Sequence, residues 1–453
     1  MLDCMRPFHS LARWAGLITL LALIIPAHAA GLNDTGITTC SNATQNGLPC
    51  PVAGFPGQDA EFGTNGFDFT KLDAAGNDLP ATATNHVCVR DNVTGLIWEV
   101  KTDDGGLRDQ NHTYTWYDSN STDSNKGTVS GGTCYKTGRC DTDKFVQDVN
   151  SAGLCGFNNW RMPKIKELYG IMRWDDIVDD NYIDANYFPN INNYPFWSGS
   201  PNANDSDSAW VAGFYDNGFL IDLPRNDGNR VRLVRVGQWF DAFDSFTDNG
   251  DGTVTQVNTG LMWVKCSEGQ TGSNCTGTAS TMTWSAALMA ANNSRLGGYS
   301  DWRVPNVKEL QALVDHSRSV PAINTVYFPN TPCDYWSEFQ SSSSIASAAF
   351  PLVRVVNFHD GSVRGELRDS SYHVRFVRDA SGPPPTKYTL NINNVGNVGI
   401  VSSTDNQISC GATCSANFNI GTSVTLNATA DSNSVFTGWS GGGCSGTGDC
   451  TVN

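Results

Sequence analysis

Apolar residues fall along this chain at several spacings, and each spacing predicts a different element. Near the N-terminus an unbroken apolar run, Trp14 to Ile25, follows Arg6 and Arg13 and precedes the small-x-small triplet Ala27-His28-Ala29. A run of about a dozen residues is shorter than the roughly twenty of a spanning helix, so residues 1–29 read as a secretory signal cut after Ala29. No membrane span is then expected in the mature chain. Helical spacing recurs at Ile165, Leu168 and Ile171, at Val307, Leu310 and Leu313, and across Trp284 to Ala291. Pro163 suits the first turn of the earlier helix, where a missing N–H is unbonded anyway. Strand-like runs stand at Val231–Arg235 and Val374–Arg378. Strict alternation appears at Tyr388, Leu390 and Ile392 and again at Val424, Leu426 and Ala428, predicting a small all-β module.

The pattern occurs twice. Thr94-Gly95-Leu96-Ile97-Trp98 returns as Thr259-Gly260-Leu261-Met262-Trp263, and Thr115-Trp116 as Thr283-Trp284. Asn159-Trp160-Arg161-Met162-Pro163 with Glu167-Leu168 returns as Asp301-Trp302-Arg303-Val304-Pro305 with Glu309-Leu310. Tyr187-Phe188-Pro189-Asn190 and Trp197-Ser198 return as Tyr327-Phe328-Pro329-Asn330 and Trp336-Ser337. Blocks repeated in one order mark two copies of a domain. They differ chiefly by a Ser-, Asn- and Gly-rich insertion between Trp116 and Phe145, which reads as a surface loop. Ser381 to Thr386 is a Pro-rich linker.

Composition narrows the partner. The 453 residues are 39% hydrophobic, so real cores can form, and the length suits roughly two to four domains. Lys and Arg number 29 against 45 Asp and Glu, a net charge of -16, which disfavours nucleic acid and heavily sulfated polymers.

Export makes the cysteines disulfide candidates. Aligned repeats set Cys88 opposite Thr253 and Cys155 opposite Gly297; the second copy lacks both together, as expected if they bond. The rival Cys140–Cys155 spans a predicted helix of about twelve residues, or about 18 Å, whereas bridged Cα atoms sit roughly 4.4 to 6.8 Å apart. We therefore expect Cys88–Cys155, with Cys134–Cys140, Cys40–Cys50 and Cys266–Cys275 as local pairs and Cys333 left over. In the β module Cys410–Cys414 and Cys444–Cys450 are the first choice, with crossed pairings as the alternative. The Cys-x3-Cys and Cys-x5-Cys spacings have no nearby His pair, which argues against zinc.

The repeated blocks resemble the Lcl C-terminal family, over roughly Cys88 to Arg378, and Thr35-Gly36 to Gly57-Gln58-Asp59-Ala60 is similar to an N-terminal extension of the first copy. That resemblance implies a C-type lectin-like fold, the fold also of the formylglycine-generating enzymes. The late reactive cysteines of those enzymes are not matched here, so their chemistry does not carry over. Cys410-Gly411-x-x-Cys414 and Phe436-x-Gly438-Trp439-Ser440-Gly441 resemble divergent internalin-type B-repeats of bacterial surface proteins.

Candidate chemistry is sparse. Gly438-Trp439-Ser440-Gly441-Gly442 fits a nucleophile-elbow string, but no His follows it and its surroundings are β structure. Arg161 with Glu167, and Arg303 with Glu309, read as structural pairs tying strand to helix rather than as a ligand clamp. The repeat-matched tryptophans read as core, while the unmatched Trp174, Trp210 and Trp239 are freer to face a ligand. Trp174 adjoins Asp175, Asp176, Asp179, Asp180 and Asp184. Such a cluster offers hard oxygens to calcium, but a solvated acidic loop is the expectation, and no cofactor is expected. Asp248-Asn249-Gly250-Asp251-Gly252 fails calcium-loop spacing and predicts a hairpin turn.

The chain is thus read as α+β: a signal at 1–29, a first lectin-like domain at 30–236, a second at 237–380, a linker at 381–387 and a β module at 388–453. It is expected to be an extracellular, cell-surface or periplasmic binding protein. Its partner is expected to be a glycan, in adhesion or carbohydrate recognition. The alternative is a structural or assembly module that binds another cell-envelope protein. No enzymatic role is expected.

Overall fold

A computed structural model describes residues 31–62, 66–121, 124–174, 181–191, 193–215, 218–235, 245–340, 352–381, 387–393, 399–405, 407–410, 413–419, 422–441 and 444–452. The signal reading at 1–29 lies outside the described residues. Small antiparallel sheets dominate and helices are few, so the α+β expectation shifts towards β.

Each repeat opens on a short sheet. In the first copy Cys88–Asp91 pairs with Ile97–Glu99, which in turn pairs with Val234–Arg235. In the second, Thr253–Gln256 pairs with Leu261–Val264, and that strand with Val377–Asp379. Gly95 (φ 74°) and Gly260 (φ 69°) turn the chain into the Trp strand, a left-handed position suited to glycine. The Asp248 to Gly252 stretch links Phe246–Asp248 to Thr253–Gln256, antiparallel neighbours, as a hairpin turn requires.

Helix α1 (Asp59–Phe62) precedes both repeats. Helices α2 (Thr142–Ala152) and α4 (Trp284–Asn293) follow the matched Trp blocks, N-capped by Asp141 and Thr283. Helices α3 (Ile165–Gly170) and α5 (Val307–Leu313) follow the Trp-Arg blocks. Pro163 sits one residue ahead of the N-cap Lys164, not inside the first turn, because the chain leaves the Arg161–Val234 bridge still extended.

The two copies are not separate globules. Phe196–Pro201, Ser208–Gly213 and Phe219–Pro224 form one meander, and Asp334–Gln340, Leu352–Asn357 and Val363–Leu367 form its counterpart. The Val363–Leu220 pairing joins them into a six-stranded sheet. One apolar core, with Trp98, Leu168, Trp210 and Leu220 from the first copy and Trp263, Leu310, Tyr335 and Phe358 from the second, runs through both. Across the junction the Lys166 ammonium donates to the Ala312 carbonyl at 3.1 Å, while Lys308 donates to the Gly170 carbonyl at 2.9 Å. These contacts are reciprocal, as in a two-fold interface built from one chain.

The tail pairs Lys387–Asn393 with Thr413–Asn419, beside a sheet ordered Ser409–Cys410, Ile400–Ser403, Val424–Thr429, Cys450–Val452. Its own core includes Ile392, Val401, Phe418 and Leu426.

Candidate functional site

The Trp-Arg-x-Pro-x-x-x-Glu-Leu block builds the same clamp twice. Backbone bridges to Val234 and Val377 pin Arg161 and Arg303. Glu167 and Glu309, at the third position of α3 and α5, then face back toward them. Arg161 donates to both Glu167 oxygens at 2.7 and 2.6 Å, and Arg303 does the same to Glu309. Each glutamate also accepts the backbone N–H of Lys164 (2.6 Å) or Asn306 (2.8 Å). One carboxylate therefore caps a helix and orients a guanidinium.

The surroundings of the two clamps differ. Residues 31–62, expected to extend the first copy, mostly pack on the second. Phe55 stacks on Trp284 at 5.7 Å, Phe62 lies 5.9 Å from the Arg303 guanidinium, and Arg368 donates to the Asn42 carbonyl and to Asn46. The start of this arm reaches the first copy, through Asn33 to Asp91 at 2.6 Å and the Trp174 N–H to the Thr35 carbonyl. Over Trp116, the counterpart of Trp284, the first copy supplies its own cover from the insertion, though not over its Arg161 clamp: Arg225, the counterpart of Arg368, lies 4.3 Å over Trp116 and donates to the Asn125 carbonyl. Arg368 likewise lies 4.9 Å over Trp284. Arm and insertion are therefore stand-ins for each other, each closed by a short disulfide loop.

Beneath the arm lies a cleft of ≈ 710 Å³, lined by Asp34, Asp59, Phe62, Arg303, Asn306 and Glu309 among others. Asp59 is a buried member of this lining, at 6% exposure. Its Oδ1 accepts the Asn306 amide at 3.0 Å and its Oδ2 meets the Thr35 hydroxyl. Burial pushes its carboxyl up to about 7, and the negative charges of Asp34 and Glu309 add to the rise. Bonds from Thr35 and Asn306 oppose it. Asn306 makes this contact in the second copy; the first copy has Lys164 at the matched position.

The tryptophans freer on sequence grounds are not on the surface. Trp174 (0% exposed) packs edge-on against Tyr169 at 5.3 Å, and Trp210 (2%) packs against His316 of the second copy at 5.2 Å. They have no counterparts in the second copy because they fill the junction, where the two copies differ. Trp239 lies outside the described residues, as do Asp175, Asp176, Asp179 and Asp180. Asp184 is held by Arg173 at 3.0 Å and caps the Asn186 N–H, so it serves a local turn. The repeat-matched tryptophans are all in the core. Ser440 lies in a hairpin strand, Trp439–Gly441, not on a strand-to-helix turn.

Disulfides join Cys40–Cys50, Cys88–Cys155 (Cα atoms 6.5 Å apart), Cys134–Cys140, Cys266–Cys275 and Cys444–Cys450. Cys333 is free and exposed. Cys414 is disulfide-bonded, and the side chain of Cys410 lies outside the described residues. Asp59, Asn306 and the arm's destination were not read from sequence. The one available signal was the exchange of Lys164 for Asn306 at matched positions.

These features define a disulfide-stapled, mostly-β protein of two fused repeats with a separate β tail. The Lcl C-terminal domain model matches residues 87–235 and 252–378, more than half of the chain, and the protein belongs to that family. The divergent InlB B-repeat domain model matches residues 397–453. No curated protein and no solved structure matches the chain. No helix among the described residues is long and apolar enough to cross a membrane.

Proposed function

We propose that this is an exported, surface-associated binding protein that uses its paired, C-type lectin-like repeats in adhesion or carbohydrate recognition, and that it is not an enzyme. The observation that carries the reading is the union on one chain of tandem Lcl C-terminal domains and a B-repeat domain, a combination suited to a cell-surface protein. Disulfides in the arm, both repeats and the tail fit an oxidising compartment. A glycan array probed with the mature protein is expected to show saturable binding to a defined sugar class. No sugar binding together with capture of one envelope protein would overturn it.

A second reading, an assembly module for another envelope protein, is favoured by one feature of the tail. A cleft of ≈ 540 Å³ opens there between apolar side chains including Ile392, Val401, Leu426, Phe436 and Trp439. The lining is mixed, with Asn391, Ser434 and Thr437 beside the apolar side chains, and a concave surface of that kind suits a protein segment.

A further inference from the structure

The arm at 31–62 is an added piece. It covers on the second copy a face that the first copy leaves more open: the Arg303 side chain is 13% exposed and that of Arg161 is 37%. Its fastening is chemically unusual. Asp59, on α1 of the arm, enters the junction as a carboxyl group between two neutral donors, Thr35 of the arm and Asn306 of α5. The charged groups around it are mostly of its own sign. Asp34 stands on the same arm, Glu61 on the same helix and Glu309 on α5; Asp301 and Asp379 also line the cleft, Asp301 in an ion pair with Arg378. Arg303 brings positive charge, but its guanidinium is committed to Glu309 through two bonds. Lys308 reaches the Asp34 carbonyl at 2.7 Å rather than a carboxylate.

We propose that residues 31–62 form a proton-dependent clasp, which closes over the Arg303 face of the second repeat while Asp59 is protonated and loosens when Asp59 ionises. A neutral Asp59 can still accept from both Thr35 and Asn306, so both bonds persist without a buried charge. An ionised Asp59 must share the junction with Asp34 and Glu309.

The direction of the pH effect follows from linkage. The docked carboxyl titrates near 7 against an ordinary value of 3.8, so the docked state holds the proton longer. Docking is strongest below about 4, weakens by up to about tenfold per pH unit, and has lost this contribution once the pH passes about 7. The clasp is then a device that uncovers a second Arg–Glu face at neutral to alkaline pH, whichever ligand the repeats bind.

The test uses the full mature chain with its disulfides intact. Guanidinium labelling by phenylglyoxal is read by mass spectrometry as the ratio of Arg303 to Arg161 modification, which cancels the reagent's own pH dependence. The ratio is expected to rise several-fold from pH 5 to pH 8. Asp59→Asn is expected to flatten that profile. Asp34→Asn, which removes a like charge and leaves the fastening in place, is expected to lower the ratio reached at pH 8. A wild-type ratio unchanged between pH 5 and 8, or an Asp59→Asn profile as steep as wild type, would overturn the proposal.

Discussion

Glu309 shows how much one side chain does here. Its two oxygens hold Arg303 and cap α5 together, and its side chain is only 9% exposed. Removing one member of a pair so enclosed strands the other, at a cost of about 3 kcal/mol. Glu309→Ala should lower the urea unfolding free energy by about that amount. Glu167→Ala should cost less, because Arg161 is open enough to be hydrated in its place. Equal losses at both positions would show that the arm contributes nothing to the second clamp. The tryptophans teach the opposite lesson about reading residues singly. Trp174 and Trp210 have no repeat counterpart, yet both are buried, because asymmetry marks the junction of the copies rather than a binding face.

At the scale of elements, the bridge from Cys88 to Cys155 ties the Cys88–Asp91 strand to the turn after α2 across 67 residues. Closing a loop of that length limits the unfolded chain, so the double variant Cys88→Ala, Cys155→Ala should lose about 4 kcal/mol in the chain-entropy model. Differential scanning calorimetry of the purified variant measures it. A loss below about 1 kcal/mol would mean that the strand and helix hold their places without the bond. The second copy has Thr253 and Gly297 at these positions and relies on packing. There Gly297 stands with φ 60°, matching the φ of 52° at Cys155, so the same turn is made with and without sulfur. The arm and the insertion are the other matched elements: both bring a backbone carbonyl to an arginine stacked over a tryptophan.

For the whole molecule, the shared core and the six-stranded sheet make the two repeats one cooperative unit. Calorimetry should show a single transition for residues 31–381, with the tail melting separately since its core is its own. Two resolved transitions assigned to the two repeats would contradict the fused architecture. A net charge of -16 leaves few cations for counterion exchange, so heparin should release the protein at modest salt. Retention on a heparin column at physiological ionic strength would refute that expectation. Proton uptake by the clasp also belongs at this scale, since it joins the arm to a copy more than two hundred residues away.

The sequence by itself determined the repeats, the helices at 165–170 and 307–313, the alternation of the tail and the partners of Cys88 and Cys155. Each of these rests on local spacing or on comparing one copy with the other, and both are written along the chain. It also marked the Arg161–Glu167 and Arg303–Glu309 pairs, because a six-residue separation at a strand-to-helix turn leaves them little choice of partner. Only the tertiary structure decided that the copies share one core, that the arm touches the first copy at its start but mostly covers the second, and that Asp59 is buried near like charges. Those outcomes depend on apolar area and hydrogen-bond partners brought together from distant segments, and no local pattern encodes them: Asp59 and Asn306 stand 247 residues apart and meet because Phe55, Trp284 and Arg368 bring the arm there.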